Sequence, residues 1–192
     1  MEKGIVRRLE FPISMGKEAL VFKAVDENNT PVALKIYKAE TAHFSGRKKY
    51  LRGDPRFPRL PQSPFALASL FARKEFRNLR WAERAGVDAP RPLFVTGPIV
   101  VMSFVGDEEP YPLLAYQAAT ASDFKKIMAD VRRLYRTGLV HADLSAFNIL
   151  KGQTPIIIDF SQAVPLAHPY AMDFLKRDVF NILKFFKKQG IL

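Results

Sequence analysis

The chain contains no cysteine. That excludes a disulfide framework and any cysteine-ligated metal centre, and a reducing cytosol is the expected setting. No apolar run approaches the roughly 20 residues of a membrane-spanning helix. The opening stretch MEKGIVRRLEFPIS lacks the apolar core of a secretion signal. A soluble, cytoplasmic protein with no membrane partner is therefore expected. Acidic residues are few against bases, 19 Asp and Glu to 30 Lys and Arg, for a net charge of +11. There is no internal repeat and no low-complexity tract. No GxxxxGK[ST] sequence occurs, which leaves a P-loop nucleotidase unsupported.

What is present is enough apolar material for a core: 48% of 192 residues, with 16 Phe. That length suits one large domain or one small two-lobed unit. The positive charge is uneven. Residues 47–80 hold ten bases (Arg47, Lys48, Lys49, Arg52, Arg56, Arg59, Arg73, Lys74, Arg77 and Arg80) against only Asp54 and Glu75. Such a segment attracts polyanions, nucleic acid first among them, although a merely solvated basic face has the same composition.

Along the chain, residues 5–38 read as antiparallel strands. In PVALKIY the apolar Val32, Leu34 and Ile36 share one face and Lys35 takes the other. Residues 40–62, with Gly46, Gly53, Pro55, Pro58 and Pro61, read as a long loop of unsettled order. A helix over 63–86 follows, with Ser63 as N-cap, Pro64 in the first position, Gly86 as the stop and an apolar stripe of Phe71, Leu79, Ala82 and Ala85. Two more strands lie within 91–105. The polar link GDEEPYP is the best lobe boundary, which gives a first lobe over 1–106 and a second over 107–192. From about residue 120 the pattern turns helical, with Phe124, Ile127, Met128, Val131, Leu134 and Tyr135 at helical spacing and Gly138 as the stop. A short strand pair around NIL and PIIID and a last helix complete the chain.

Four constellations carry chemistry. In ISMGKEA, Gly16 at a strand-to-strand turn lets backbone N–H groups approach phosphates, with Ser14 and Lys17 as further donors, although an ordinary hairpin has the same look. Lys35 needs an anionic partner, and Glu75, a carboxylate on the apolar stripe of the 63–86 helix, must itself be paired. A Lys35–Glu75 pair would hold the ammonium toward nucleotide phosphates. In HADLSAFN, Asp143 and Asn148 have the D-x-x-x-x-N spacing of a phosphotransfer loop; the carboxylate orients or deprotonates a hydroxyl and the amide oxygen reaches a metal. His141 reads as a structural residue. In PIIIDFSQ, Asp159 ends a buried strand eleven residues after Asn148. That suits a second oxygen ligand to a hard cation such as Mg²⁺. Each motif alone also has a plain reading as a cap or turn; their order makes the case for phosphoryl transfer.

At this point the chain resembles the RIO family of atypical protein kinases, over nearly its whole length. SMGKEA is similar to that family's phosphate loop, STGKEA, with Met15 in place of Thr. LVHADLSAFNIL resembles its catalytic loop, and IIIDFSQAV with HPYAMDFLKRDVFNILKFF its metal-binding loop and final helix. RKKYLRGDPRF and KEFRNL resemble its insert and regulatory helix. The KEA ending and IDFSQ favour the type-one branch. The resemblance implies an α+β, bilobal protein-kinase-like fold: an N-lobe antiparallel sheet with one regulatory helix, and a trimmed, mostly helical C-lobe. It implies ATP and Mg²⁺ (or Mn²⁺) as cofactors. Lys35 would contact phosphates beside Glu75, and Ser14 and Lys17 would touch them. Met102 would be the gatekeeper of a hinge near 102–106, with backbone groups of Ser103 and Val105 on adenine. Asp143 would be catalytic, and Asn148 and Asp159 would hold metal. Asp159 would itself be phosphorylated during turnover. The family's usual role, maturation of the small ribosomal subunit, would give segment 47–80 an RNA-rich partner.

Three departures bear on this. Ala142 stands where ordinary protein kinases carry the arginine that answers activation-loop phosphorylation, and no APE segment follows Asp159; both are usual in RIO proteins. Met15 removes a hydroxyl from the phosphate loop, and the short leading segment leaves little room for the family's extra helices. Two other readings stay open: a non-catalytic RNA-binding scaffold with a kinase fold, and a small-molecule kinase of the aminoglycoside or choline type. The intact Lys35, Asp143, Asn148 and Asp159 argue against the first, the basic insert and KEA loop against the second.

Overall fold

The computed structural model describes residues 5–39 and 48–192. Arg47, the side chain of Lys48 and the first part of the expected 40–62 loop lie outside the described residues. Five antiparallel strands form one sheet: β1 (Arg8–Met15), β2 (Ala19–Val25), β3 (Pro31–Tyr37), β4 (Pro92–Thr96) and β5 (Ile99–Ser103), in the order β1-β2-β3-β5-β4. Alternation sorts the side chains of β3 as expected. Val32, Leu34 and Ile36 pack with Ala24 and Val101 on one face. Ala33 and Tyr37, with Lys35 between them, take the other, where the main core begins.

That core face is covered by α1 (Pro64–Arg84). Ser63 caps it by accepting from the Ala66 N–H at 3.3 Å. At its end Gly86 takes φ +67°. The Gly86 and Val87 N–H groups donate to the carbonyls of Glu83 and Ala82, the double closure that a left-handed glycine makes available. α1 buries far more than a stripe. Leu67, Phe71 and Leu79 face the core, but so do Lys74, Glu75 and Asn78, because the helix lies between the sheet and the loop that follows Asp159.

Two helices dominate the rest: α2 (Ala121–Arg136), opened by a Thr120–Asp123 capping box, and α3 (Ala171–Lys188). Tyr135 departs from the expected stripe and points outward, 41% exposed. Between α2 and α3 run two small hairpins, β6 (Leu139–Val140) with β9 (Val164–Pro165), and β7 (Ile149–Lys151) with β8 (Pro155–Ile157). One apolar core runs through both layers, from Val100 and Phe71 to Ile127, Ile157, Ile182 and Phe186. The connector after β5 turns back on itself through a bridge between Gly106 and Pro110. At Gly106, φ +158°, a Cβ would stand 2.2 Å from the Glu109 carbonyl oxygen, so only glycine fits. Among the described residues, no helix is long and apolar enough to cross a membrane.

Residues 48–62 are packed rather than loose. Tyr50, Leu51 and Phe57 are buried. Arg56 grips Asp54 with two hydrogen bonds, at 2.7 and 2.9 Å. This corrects the uniform basic face expected over 47–80: Arg56 is paired, and Lys74 is fully buried inside the fold.

Candidate functional site

Lys35 sits mid-strand, in register with Val21 on β2 and Val100 on β5. Its Nζ donates to Glu75 Oε1 and to Asp159 Oδ1, both at 2.8 Å. The second oxygen of Glu75 accepts from the Tyr37 hydroxyl. Burial alone would pull the Lys35 ammonium below its ordinary pKa, but the carboxylates of Asp159 and Glu75 outweigh it and hold the group above that value. A strand, a helix and a distant loop thus meet at one cation. The pairing of Lys35 with Glu75 is the one expected; the direct contact with Asp159 is additional.

Asp159 reaches Lys35 through its backbone. Two residues past the end of β8 it adopts φ +58°, a left-handed conformation, and its Oδ1 caps the following turn by accepting from the Ser161 N–H at 3.3 Å. Asp tolerates this region better than most side chains do. The turn itself is held from α1. Lys74 Nζ donates to the carbonyls of Ser161 and Ala163, at 3.0 and 2.6 Å. Asn78 Nδ2 donates to those of Phe160 and Ala163, at 2.7 and 2.9 Å. Asn78 Oδ1 in turn accepts from Arg56 at 2.8 Å. Sequence reasoning missed Lys74 and Asn78.

Asp143 and Asn148 come together as their spacing suggested. Asn148 Nδ2 donates to the Asp143 backbone carbonyl at 2.8 Å and lies 3.4 Å from Asp143 Oδ2, which also accepts from Gln162 Nε2 at 3.1 Å. With its amide nitrogen committed to Asp143, Asn148 turns its oxygen end to any cation. Gln162, three residues past Asp159, ties the two loops.

The loop is clamped by a residue the sequence reading passed over. Asp178 on α3 accepts from the Ala142 N–H at 2.7 Å and the Leu144 N–H at 2.9 Å, one on each side of Asp143. Arg177 donates to the Ala142 carbonyl, and Asn181 to that of Leu144 at 3.1 Å. Ala142 has φ +65°, so its strain is held by α3. Burial pushes the Asp178 carboxyl up to about 7, against the two N–H donors and Arg177. His141 is structural, as expected. Its Nε2 lies 3.1 Å from the Ile158 carbonyl, its ring packs edge-on to Phe160, and burial lowers its pKa to about 4.

The other expected residues lie around this centre. Ser14 on β1 is exposed and paired with Val21, the neighbour of Lys35 in register. It is thus two strand spacings, roughly 10 Å, from Lys35 along the row. Lys17 is exposed in the β1–β2 turn. Among the described residues neither shares a hydrogen bond with the Lys35 cluster. Met102 is buried beside Ala33 at the end of β5. The Ser103 N–H donates to the Arg91 carbonyl, and the Val105 carbonyl accepts from the Tyr111 N–H.

The donor set fits a magnesium–nucleotide complex. Among the described residues, no three acidic, histidine or cysteine side chains gather as a protein-only metal cage. Mg²⁺ needs none, since it takes one or two carboxylates and completes its shell with phosphate and water. Asp159, with Asn148 beside Asp143, supplies that kind of partial set.

Comparison with known proteins agrees. The RIO domain model matches residues 20–192. A RIO-type serine/threonine-protein kinase Rio1 of Haloferax volcanii is 40% identical over 183 residues, 93% of this chain and 63% of that protein. The Rio1 of Thermoplasma acidophilum is 38% identical over 90% of this chain and 92% of its own length. The human serine/threonine-protein kinase RIO1 is 37% identical over all of this chain but 35% of its own; the chain thus spans less than two thirds of several of the relatives it matches. Among solved structures, a Rio2 kinase from Chaetomium thermophilum, captured as an ADP/Mg²⁺–phosphoaspartate complex, superposes with a TM-score of 0.76 at 26% identity, over 98% of this chain and 58% of that one. With those motifs, this sheet-and-helix architecture and these matches, the chain belongs to the RIO family, in its type-one branch, with the α+β, bilobal, protein-kinase-like fold.

Proposed function

We propose that this protein is an ATP-dependent serine/threonine kinase or ATPase of RIO type, acting by magnesium-dependent phosphoryl transfer, with lobes over 1–106 and 107–192. The observation that carries the reading is the Lys35–Glu75–Asp159 cluster, with both ion pairs at 2.8 Å, set beside Asp143 and Asn148. Lys35 would hold nucleotide phosphates while Glu75 fixes its ammonium, and its contact with Asp159 would give way to them. Mg²⁺, when bound, would neutralise developing phosphate charge; Asp159 and Asn148 would hold it. Ser14 and Lys17 would steady the phosphates from the hairpin above. Met102 would border the adenine, and the Ser103 carbonyl and Val105 N–H would meet its edge. Asp143, oriented by Gln162 and the α3 clamp, would align or deprotonate the attacking hydroxyl.

The Chaetomium thermophilum Rio2 complex carries a phosphoaspartate, which supports Asp159 as the phosphorylated residue here and a switch-like ATPase output. The protein should be incubated with Mg²⁺ and γ-labelled ATP and then treated with hydroxylamine. Label released by hydroxylamine and abolished by Asp159→Asn supports the reading; no ATP binding at millimolar concentration sinks it and leaves a scaffold. The exposed bases of 47–80 support a role on ribosomal RNA, in small-subunit maturation in the cytoplasm. That binding should weaken steeply with salt, and a flat response would remove the claim.

A further inference from the structure

Beside α1, on the side of residues 56–59, lies an open hollow of about 580 Å³. Its floor is apolar, Phe57 and Leu70. Its walls are guanidinium groups: Arg56, Arg59, Arg73 and Arg77. Arg59, Arg73 and Arg77 are exposed, and among the described residues no carboxylate pairs with any of them. The nearby acid, Asp54, is already held by Arg56. The two guanidiniums of Arg56 and Arg77 lie over the Phe57 ring, at 5.4 and 5.8 Å from its centroid.

Four like charges do not gather around one hollow without cost, and the fold supplies no internal anion to relieve it. The site is complementary to a ligand with several negative charges. Its shape narrows the class. An enclosed pocket would suit a small phosphorylated molecule, whereas an open hollow lets a chain pass through. Arg77, rested flat on Phe57, presents its outer plane for stacking, and planar guanidiniums receive unpaired bases in this way. We infer that this hollow binds single-stranded RNA, with Arg59 and Arg73 on successive phosphates and one unpaired base stacked on Arg77. The inference rests on the proposed RNA partner and narrows it from a charged segment to one pocket. Lys74, buried beneath, takes no part, and Arg56 serves by fixing Phe57 and the 54–57 turn.

The test uses the full chain and a fluorescein-labelled single-stranded RNA of about 12 nucleotides, within the ~4–16 that such grooves cover. Arg73→Ala/Arg77→Ala is expected to weaken binding about tenfold. It should also lower the slope of log K against log salt by about 1.4, at ~0.7 per lost single-strand phosphate contact. Arg73→Lys/Arg77→Lys should keep the slope but recover only part of the affinity, because it keeps charge and loses the stacking plane. The control pair Arg132→Ala/Arg136→Ala, exposed on α2, should change either quantity little. An unchanged melting temperature excludes unfolding. Equal losses in the pocket and control pairs, full recovery by lysine, or a duplex bound as tightly as the single strand would each overturn the pocket in favour of plain charge. Wild-type protein that binds no RNA overturns the partner reading as well, while hydroxylamine-released label reports the nucleotide chemistry separately.

Discussion

Asp178 is the place where pH should reach the catalytic loop, and its effect can be worked out beforehand. Its carboxyl rises from 3.8 to about 7 in the folded chain. Burial is the main cause, with Asp143 adding to it, and the Leu144 and Ala142 N–H groups and Arg177 opposing. A folded-state pKa above the unfolded one means the native protein binds the extra proton between pH 4 and 7. The stability present below pH 4 is therefore lost as pH rises through 7. At about 1.4 kcal/mol per unit, the loss is about 4 kcal/mol. His141 works in the other direction over nearly the same window. Its pKa falls from 6.5 to about 4 because of burial, so its contribution is present above pH 6.5 and is lost as pH falls. The two groups mask one another in the wild type. Asp178→Asn unmasks them: it keeps one acceptor for the loop and removes the titration. Urea unfolding in steps of about one unit from pH 4 to 8 should show the wild-type stability minus the variant's falling by about 4 kcal/mol. Parallel curves, offset by a constant, would refute both the assignment of the shift to Asp178 and the picture of a buried carboxylate clamping the loop.

Further expectations follow from the same contacts. Asp143→Asn should lower ATP turnover by about 10²–10⁴-fold, the usual share of a positioned acid–base group, with an unchanged melting temperature; turnover within about threefold of wild type would remove Asp143 from the chemistry. Lys35→Met leaves the buried Glu75 without its cation and should cost about 3–5 kcal/mol in urea. Adding Glu75→Gln to it should recover part of that, and a double variant less stable than the single one would contradict the pairing. Phe71→Ala removes a fully buried ring stacked near Tyr37 and should cost about 3–5 kcal/mol; a smaller loss would mean that α1 settles onto the sheet without it.

The parts of the site legible in the sequence were those announced by a conflict between residue type and position. Lys35 stood out as a cation on a strand, Glu75 as a carboxylate on an apolar stripe, and Asp159 as an acid ending three isoleucines. The same conflict exists at Asp178. It falls four residues from both the buried Phe174 and the buried Ile182, so the rule that found Glu75 would have found it too. Lys74 and Asn78 were hidden for another reason. They lie off the stripe, on a flank of α1 that single-stripe periodicity assigns to water, and they are buried only because a loop some 85 residues later comes to rest there. The left-handed backbones of Ala142 and Asp159 were likewise invisible, since neither residue is glycine; long-range bonds impose those angles. The basic segment misled in part, because charge counted along a sequence cannot separate Arg56 and Lys74, which face inward, from Arg59, Arg73 and Arg77, which do not.

These contacts also bear on the missing arginine. In the kinases that carry it, that side chain lets a phosphorylated segment order the catalytic loop. Here the position is Ala142, and the ordering has moved to the backbone. Asp178 and Arg177 hold the N–H and carbonyl of Ala142, and Asp178 and Asn181 do the same for Leu144. Both peptide units flanking Asp143 are thus fixed by α3 without any modification. On the other side, α1 fixes 160–163 through Lys74 and Asn78, and Asp159 through Lys35 and Glu75. Asp143 is therefore anchored in one helix and Asp159 in another, with Gln162 as a hydrogen bond between the two loops. The freedom left in the centre is a relative shift of α1 and α3, and the element coupled to α1 from outside is the Asp54–Arg56 turn, through Asn78. A ligand on the arginines beside that turn would act on the same bond that holds the Asp159 loop.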